Sequence, residues 1–203
     1  MIVTLFTLLM AVSMCSTRLK IGSRSLAMKT LLIMVLFISL GLCISCDLGL
    51  GIHEPTELEK LPPLTTTGEN TFGCLVNGEA LVVENTLEMG AIYQGGFLQM
   101  GGGVENGQID HGVFIKLNSP LEKFFEYDLT DSLDRYSTYT FKDKVASFTC
   151  YYEYNDTFDG TLTFHEIDRS NYIISGTFEF STVTDDCDTV HITDGRFDMQ
   201  YIP

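Results

Sequence analysis

From Asn70 onward, apolar and polar residues alternate in short runs separated by turn formers, and no stretch keeps the 3.6-residue period of a helix. Period-two alternation puts successive side chains on opposite faces of an extended strand. In Thr177-Phe178-Glu179-Phe180-Ser181-Thr182, Phe178 and Phe180 share one face while Thr177, Glu179 and Ser181 share the other. One face is core and one is wet. The same reading predicts strands at 72–76, 79–83, 91–100, 108–117, 147–154, 161–166, 172–182, 189–193 and 195–201. The predicted fold class is all-β, an antiparallel β-sandwich of eight or nine strands, with a lipocalin-like barrel as the alternative.

Turn chemistry supplies the punctuation. Asn77-Gly78 between two apolar runs is a strong hairpin signal, because both central residues of a type I′ turn need positive φ. Asp159-Gly160 reads as a second hairpin turn. The run 101–107, Gly-Gly-Gly-Val-Glu-Asn-Gly, is expected to be a loop because glycine loses most entropy on ordering. After Pro120, residues 121–134 are read as one short helix with Leu121, Phe124 and Phe125 facing inward.

The N-terminal part follows another pattern. Met28-Lys29-Thr30 precedes an apolar run over 31–44, then Ser45 and Cys46. A basic residue, about 15 apolar residues and a small residue before a cysteine is the layout of a lipoprotein signal peptide, and the run falls short of the ~20 residues of a permanent span. Leu42-Cys43-Ile44-Ser45-Cys46 resembles a lipobox, with Cys43 where leucine is usual and Leu42 one place further away. Cys46 is the expected site of lipidation, and two acyl chains supply the two signals that stable anchoring needs. Residues 1–27 have an apolar stretch with no basic residue before it and are read as an overhang from a start site upstream of Met28. Residues 46–69, rich in Gly, Pro and Thr, read as a flexible tether reaching up to about 60 Å. The β domain then spans 70–203.

Charge narrows the partners. Arg18, Lys20, Arg24 and Lys29 precede Cys46, and every acidic residue follows it, so the eight basic and 27 acidic residues beyond that point leave a net charge of −19. Such a surface repels nucleic acid. The expected partners are the membrane, through the lipid anchor, and an envelope protein or glycan.

Two segments carry a family resemblance. The run 65–78, Thr-Thr-Thr-Gly-Glu-Asn-Thr-Phe-Gly-Cys-Leu-Val-Asn-Gly, resembles the opening of an uncharacterised lipoprotein domain of Bacteroidota. The runs 174–180, Ile-Ser-Gly-Thr-Phe-Glu-Phe, and 187–198, Cys-Asp-Thr-Val-His-Ile-Thr-Asp-Gly-Arg-Phe-Asp, are similar to its close. The resemblance implies an extracytoplasmic lipoprotein with a β domain and no agreed activity, and it carries no catalytic residue onto this chain. Surface export in that phylum is promoted by an acidic stretch after the lipidated cysteine. Residues 47–51, Asp-Leu-Gly-Leu-Gly, lack one, so the expected location is the outer membrane facing the periplasm, with the cell surface as the alternative.

Candidate chemistry is sparse. With Cys46 acylated, Cys74, Cys150 and Cys187 remain, and an oxidising compartment favours one disulfide among them. Cys74 shares a face with Phe72 and Val76 as a buried thiol, which leaves Cys150 with Cys187 as the favoured pair. Asp185, Asp186 and Asp188 are candidate calcium ligands, against the simpler expectation of a solvated acidic turn. Residues 155–166 echo an EF-hand spacing, yet their flanks read as strands rather than helices. His53, His111, His165 and His191 show no metal-ligand spacing, and Gly-x-Ser-x-Gly is absent, so no cofactor is expected. A non-enzymatic binding or structural module of the envelope is the favoured reading, with an apolar-ligand carrier in a β-barrel or a hydrolase on a β scaffold as the alternatives. Tyr151, Tyr152 and Tyr154 place rings on both faces of one strand, which offers at least one for contact with a glycan or protein.

Overall fold

Asn77 and Gly78 take φ of 50° and 88°, the left-handed pair that a two-residue hairpin needs, and join β1 (Thr71–Val76) to β2 (Glu79–Val83). The computed structural model describes residues 54–130 and 133–203. The leader, Cys46 and the start of the tether lie outside the described residues. After a 3-10 turn at Thr86–Glu88 come β3 (Met89–Gln94), β4 (Phe97–Glu105), β5 (Ile109–Asn118), β6 (Glu126–Asp128), β7 (Arg135–Asp143), β8 (Phe148–Tyr152), β9 (Thr157–Asp168), β10 (Ile173–Thr184) and β11 (Cys187–Gln200). They form a six-stranded sheet in the order β2-β1-β11-β10-β9-β6 and a five-stranded sheet in the order β3-β4-β5-β7-β8, every strand pair antiparallel. The two sheets do not close into a barrel, so the fold is the sandwich and not the lipocalin-like alternative.

Core packing follows the alternation. Phe72, Leu81, Phe164, Ile174, Phe178, Phe197 and Met199 face inward from the six-stranded sheet; Leu98, Met100, Val113, Ile115, Leu117 and Tyr139 face them from the other. Phe72 stacks on Phe178 at 5.2 Å between centroids, and Phe164 meets Phe197 edge-on at 5.8 Å. Each fully buried ring or branched chain contributes about 1.5–3 kcal/mol. Cys150 on β8 and Cys187 on β11 are bonded to each other, which fastens the two sheets together. Cys74 is buried and free, and burial pushes its thiol up to about 12, far from any nucleophilic form.

The structure corrects several expectations. There are eleven strands, not eight or nine, among the described residues. The segment 91–100 is a hairpin rather than one strand, because Gly95 and Gly96 adopt φ of 62° and 86° and turn the chain. The glycines of 101–103 are not a loop; they continue β4 between β3 and β5. Gly101 and Gly102 have strand partners on both sides and Gly103 has one on β5, and the close approach excludes side chains: a Cβ on Gly102 would sit 2.7 Å from the Phe72 ring. Residues 121–134 contain no helix among those described, since Tyr127 and Leu129 go into the core with period two while Phe124 and Phe125 are exposed. Strand β7 went unpredicted because a serine, Ser137, occupies one of its inward positions. Asp159 and Gly160 lie inside β9, paired with β10, and are no turn. The segments 189–193 and 195–201 belong to one strand, β11, which bulges at Asp194 (φ 52°).

The described part of the tether is no free linker. Thr56 and Glu59 form a reciprocal capping box on α1 (Glu57–Lys60), and Glu57 Oε2 accepts from Ala80 N on β2 at 2.9 Å. Leu61 is buried, and Arg196 Nη1 donates to the Pro62 carbonyl at 3.2 Å. Asp198, only 1% exposed on the outer face of β11, then accepts from Thr65 Oγ1 (2.7 Å), Thr67 N (3.0 Å), Gly68 N (2.8 Å) and Glu69 N (3.2 Å). Residues 57–69 are thus a strap laid over the outer face of the six-stranded sheet. Composition suggested a linker because no hydrophobic period marks a segment held by polar contacts.

Asp198→Ala strands three backbone N–H groups and a hydroxyl, and it is expected to lower stability by about 2–4 kcal/mol in urea unfolding. Protease cleavage should then appear first between residues 54 and 70. An unchanged midpoint would show that the strap contributes nothing to the fold.

Candidate functional site

The strap leaves the two outer faces unequal. On the five-stranded sheet, strand register aligns outward positions into rows: Gly90 beside Gly101 beside Phe114 beside Thr138, then Gly103 beside Gly112 beside Thr140 beside Tyr151. Four of these positions have no side chain, so the rows sink into a trough of about 580 Å³ whose floor is bare backbone. Its walls are Leu87, Ile92 and Ile202 on one side and Phe114, Thr138 and Thr140 on the other, with Glu88, Asp110 and Gln99 supplying polar groups. Leu87 is 91% exposed and Ile202 60% exposed, an apolar rim with nothing packed on it among the described residues.

Ile202 reaches this rim because the chain end crosses from one sheet to the other. Ile202 N donates to the Ala91 carbonyl at 2.9 Å, and Tyr93 N donates to the Ile202 carbonyl at 2.8 Å, so the β3 edge is partly paired. Beyond the trough lies an aromatic cluster in which Lys116 Nζ sits 4.6 Å from the Phe97 centroid and 5.1 Å from that of Tyr136. Tyr154 leans on Tyr136 at 5.6 Å, Tyr151 is exposed on the same face, and Tyr152 is buried on the other.

Glycine on a sheet face has two readings. A Cβ on Gly101 would collide with the Val113 carbonyl, and one on Gly103 would approach the His111 carbonyl to 2.9 Å, so those two serve close strand packing. At Gly90, by contrast, nothing lies within 4 Å of an added Cβ. Packing does not demand glycine there, yet Gly90 extends the trough.

The residues singled out from sequence are scattered. Cys46 and His53 lie outside the described residues. Asp185 and Asp186 form the β10–β11 turn while Asp188, on β11, lines a cleft between the sheets, and among the described residues no three His, Cys, Asp or Glu are placed to hold a metal ion. His191 Nδ1 shares a hydrogen bond of 2.9 Å with Ser181, and His165 lies 3.4 Å from Thr177 Oγ1. His111 is different: it faces inward and meets the Tyr139 hydroxyl at 3.5 Å. Sequence reasoning passed over it by asking only about metal spacing. The signal was its place in Ile109-Asp110-His111-Gly112-Val113, on the apolar side of the alternation.

Burial holds the His111 imidazole below its ordinary 6.5, with Asp110 opposing the shift. The folded chain therefore binds this proton less readily than the unfolded chain, so the contribution to stability is full above about 6.5 and is lost as pH falls through the folded value. An imidazole NMR titration should give a midpoint below 6.5 for His111, and His111→Phe should flatten the decline of unfolding free energy between pH 7.5 and 5. Comparison with known protein families, with curated proteins and with solved structures returned no match to this chain.

Proposed function

We propose that the chain is a non-enzymatic binding module of the cell envelope, lipidated at Cys46 and most at home on the outer membrane facing the periplasm, which holds a neutral glycan along the trough of its five-stranded sheet. The trough itself carries this reading. A floor without side chains lets a sugar ring lie against the backbone, Phe114 offers a ring edge or face, and Gln99, Thr138, Thr140, Glu88 and Asp110 supply hydrogen-bond partners. A net charge of −15 over the whole chain disfavours acidic polysaccharides. The anchor rests on Ser45-Cys46 behind the apolar run 31–44.

Two measurements test the two halves separately. Metabolic labelling with a palmitate analogue should mark the wild type and not Cys46→Ala; continued labelling of the variant would exclude Cys46 as the acylated residue. For the trough, Gly90→Trp places a side chain where there is open space, so thermal stability should change little while retention on an array of neutral oligosaccharides falls at least tenfold. A wild type that retains no neutral oligosaccharide, or a variant that retains them equally, refutes the glycan reading.

A further inference from the structure

The second unusual place in the molecule is the interior of the sandwich at the end carrying the Asn77-Gly78 turn. Along the middle of each strand the inward positions hold Phe72, Leu81, Val113, Ile115 and other apolar residues, all buried. At this end the partly buried His111 on β5 takes an inward register, Glu79 on β2 and Asp188 beside the β11 bulge lie exposed at the opening, and the hydroxyls of Tyr139 and Tyr152 are beside them. Alternation calls for an apolar side chain at position 111. A local rule broken at His111, beside two tyrosine hydroxyls, is where function, rather than folding, is expected to have chosen the residue.

These residues line an open cleft of about 460 Å³, within the range of small-molecule sites. Its walls are apolar: Val76, Ile109, Phe141, Phe148 and Val190. Tyr152 is already committed, its hydroxyl donating to the Asp188 carbonyl at 2.7 Å. The His111–Tyr139 contact, at 3.5 Å, is at the limit of a hydrogen bond and leaves both groups with capacity for a better partner. Burial keeps the imidazole neutral at neutral pH and pushes the Tyr139 phenol up, so the pair presents one donor and one acceptor without charge. The carboxylates of Glu79 and Asp188 belong to the same cleft and repel anions.

We propose that this cleft binds a compact apolar ring compound bearing one hydroxyl or carbonyl, with the polar group between His111 and Tyr139 and the ring against Phe141, Ile109 and Val190. Anionic analogues are rejected by Glu79 and Asp188. The site is separate from the glycine trough, which lies on the opposite side of the five-stranded sheet, so each stands or falls alone.

The test uses the purified full chain and three probes of one shape: 2-naphthol, naphthalene and 2-naphthoate. The chain has no tryptophan, so energy transfer from tyrosine to bound 2-naphthol reads occupancy directly. We expect saturable binding of one 2-naphthol per chain with movement of the His111 imidazole resonances, and at least tenfold weaker binding of 2-naphthoate that Glu79→Gln partly restores. Tyr139→Phe keeps the ring and removes only the hydroxyl; it should abolish the preference for 2-naphthol over naphthalene without unfolding the chain. His111→Phe should weaken 2-naphthol at least tenfold. Absence of saturable 2-naphthol binding, or binding indifferent to both His111→Phe and Tyr139→Phe, overturns the proposal.

Discussion

A single buried carboxylate decides how this sandwich presents itself. Asp198 sits on the outer face of β11, a position that alternation assigns to water, and is made tolerable only by the four donors of Thr65, Thr67, Gly68 and Glu69 that close over it. Closing them draws the chain across the six-stranded sheet, sets Pro62 against Gly73 and buries Leu61. The β1, β2 and β11 part of that face is thereby covered by residues 57–69. Among the described residues, nothing lies over the trough on the other face. The asymmetry that makes the glycine trough a candidate surface follows from where that carboxylate found its donors.

The two sheets are held by different means. Rings of Phe72, Phe164, Phe178 and Phe197 fill the middle, where packing is dense and unspecific in chemistry. Toward the ends, specific bonds take over: the Cys150–Cys187 disulfide between β8 and β11, and the crossing of Ile202 onto β3. Beside the disulfide the core gives way to the cleft of His111 and Tyr139, whose walls include Cys150 itself. The covalent tie thus holds β8 to β11 directly beside the open cleft.

Glycine plays opposite parts within one strand. At Gly101 and Gly102 neighbouring groups leave no room for a side chain, so the residue is a packing necessity. At Gly90 the space is open and the absence of a side chain shapes a surface. Glycine-rich sequence alone reads as a break in structure, because the entropic cost is local while the compensating hydrogen bonds come from the neighbouring strands β3 and β5 once they pair.

What the sequence by itself determined was fixed by short-range periodicity: an all-β fold, the shared face of Phe72 and Cys74 on β1 and of Phe178 and Phe180 on β10, and the Asn77-Gly78 hairpin, since alternation and a left-handed turn pair need no distant partner to be recognised. Legibility stopped where a residue's role depends on what faces it. Strand β7 was hidden by Ser137, the run 121–134 by aromatic spacing that suits a helix, and the strap by its lack of any hydrophobic period. Neither the trough nor the cleft was visible, because each is assembled from single positions on three or more strands whose register only the folded sheet sets. Periodicity along the chain tells which way a side chain points; only tertiary structure decides what it meets.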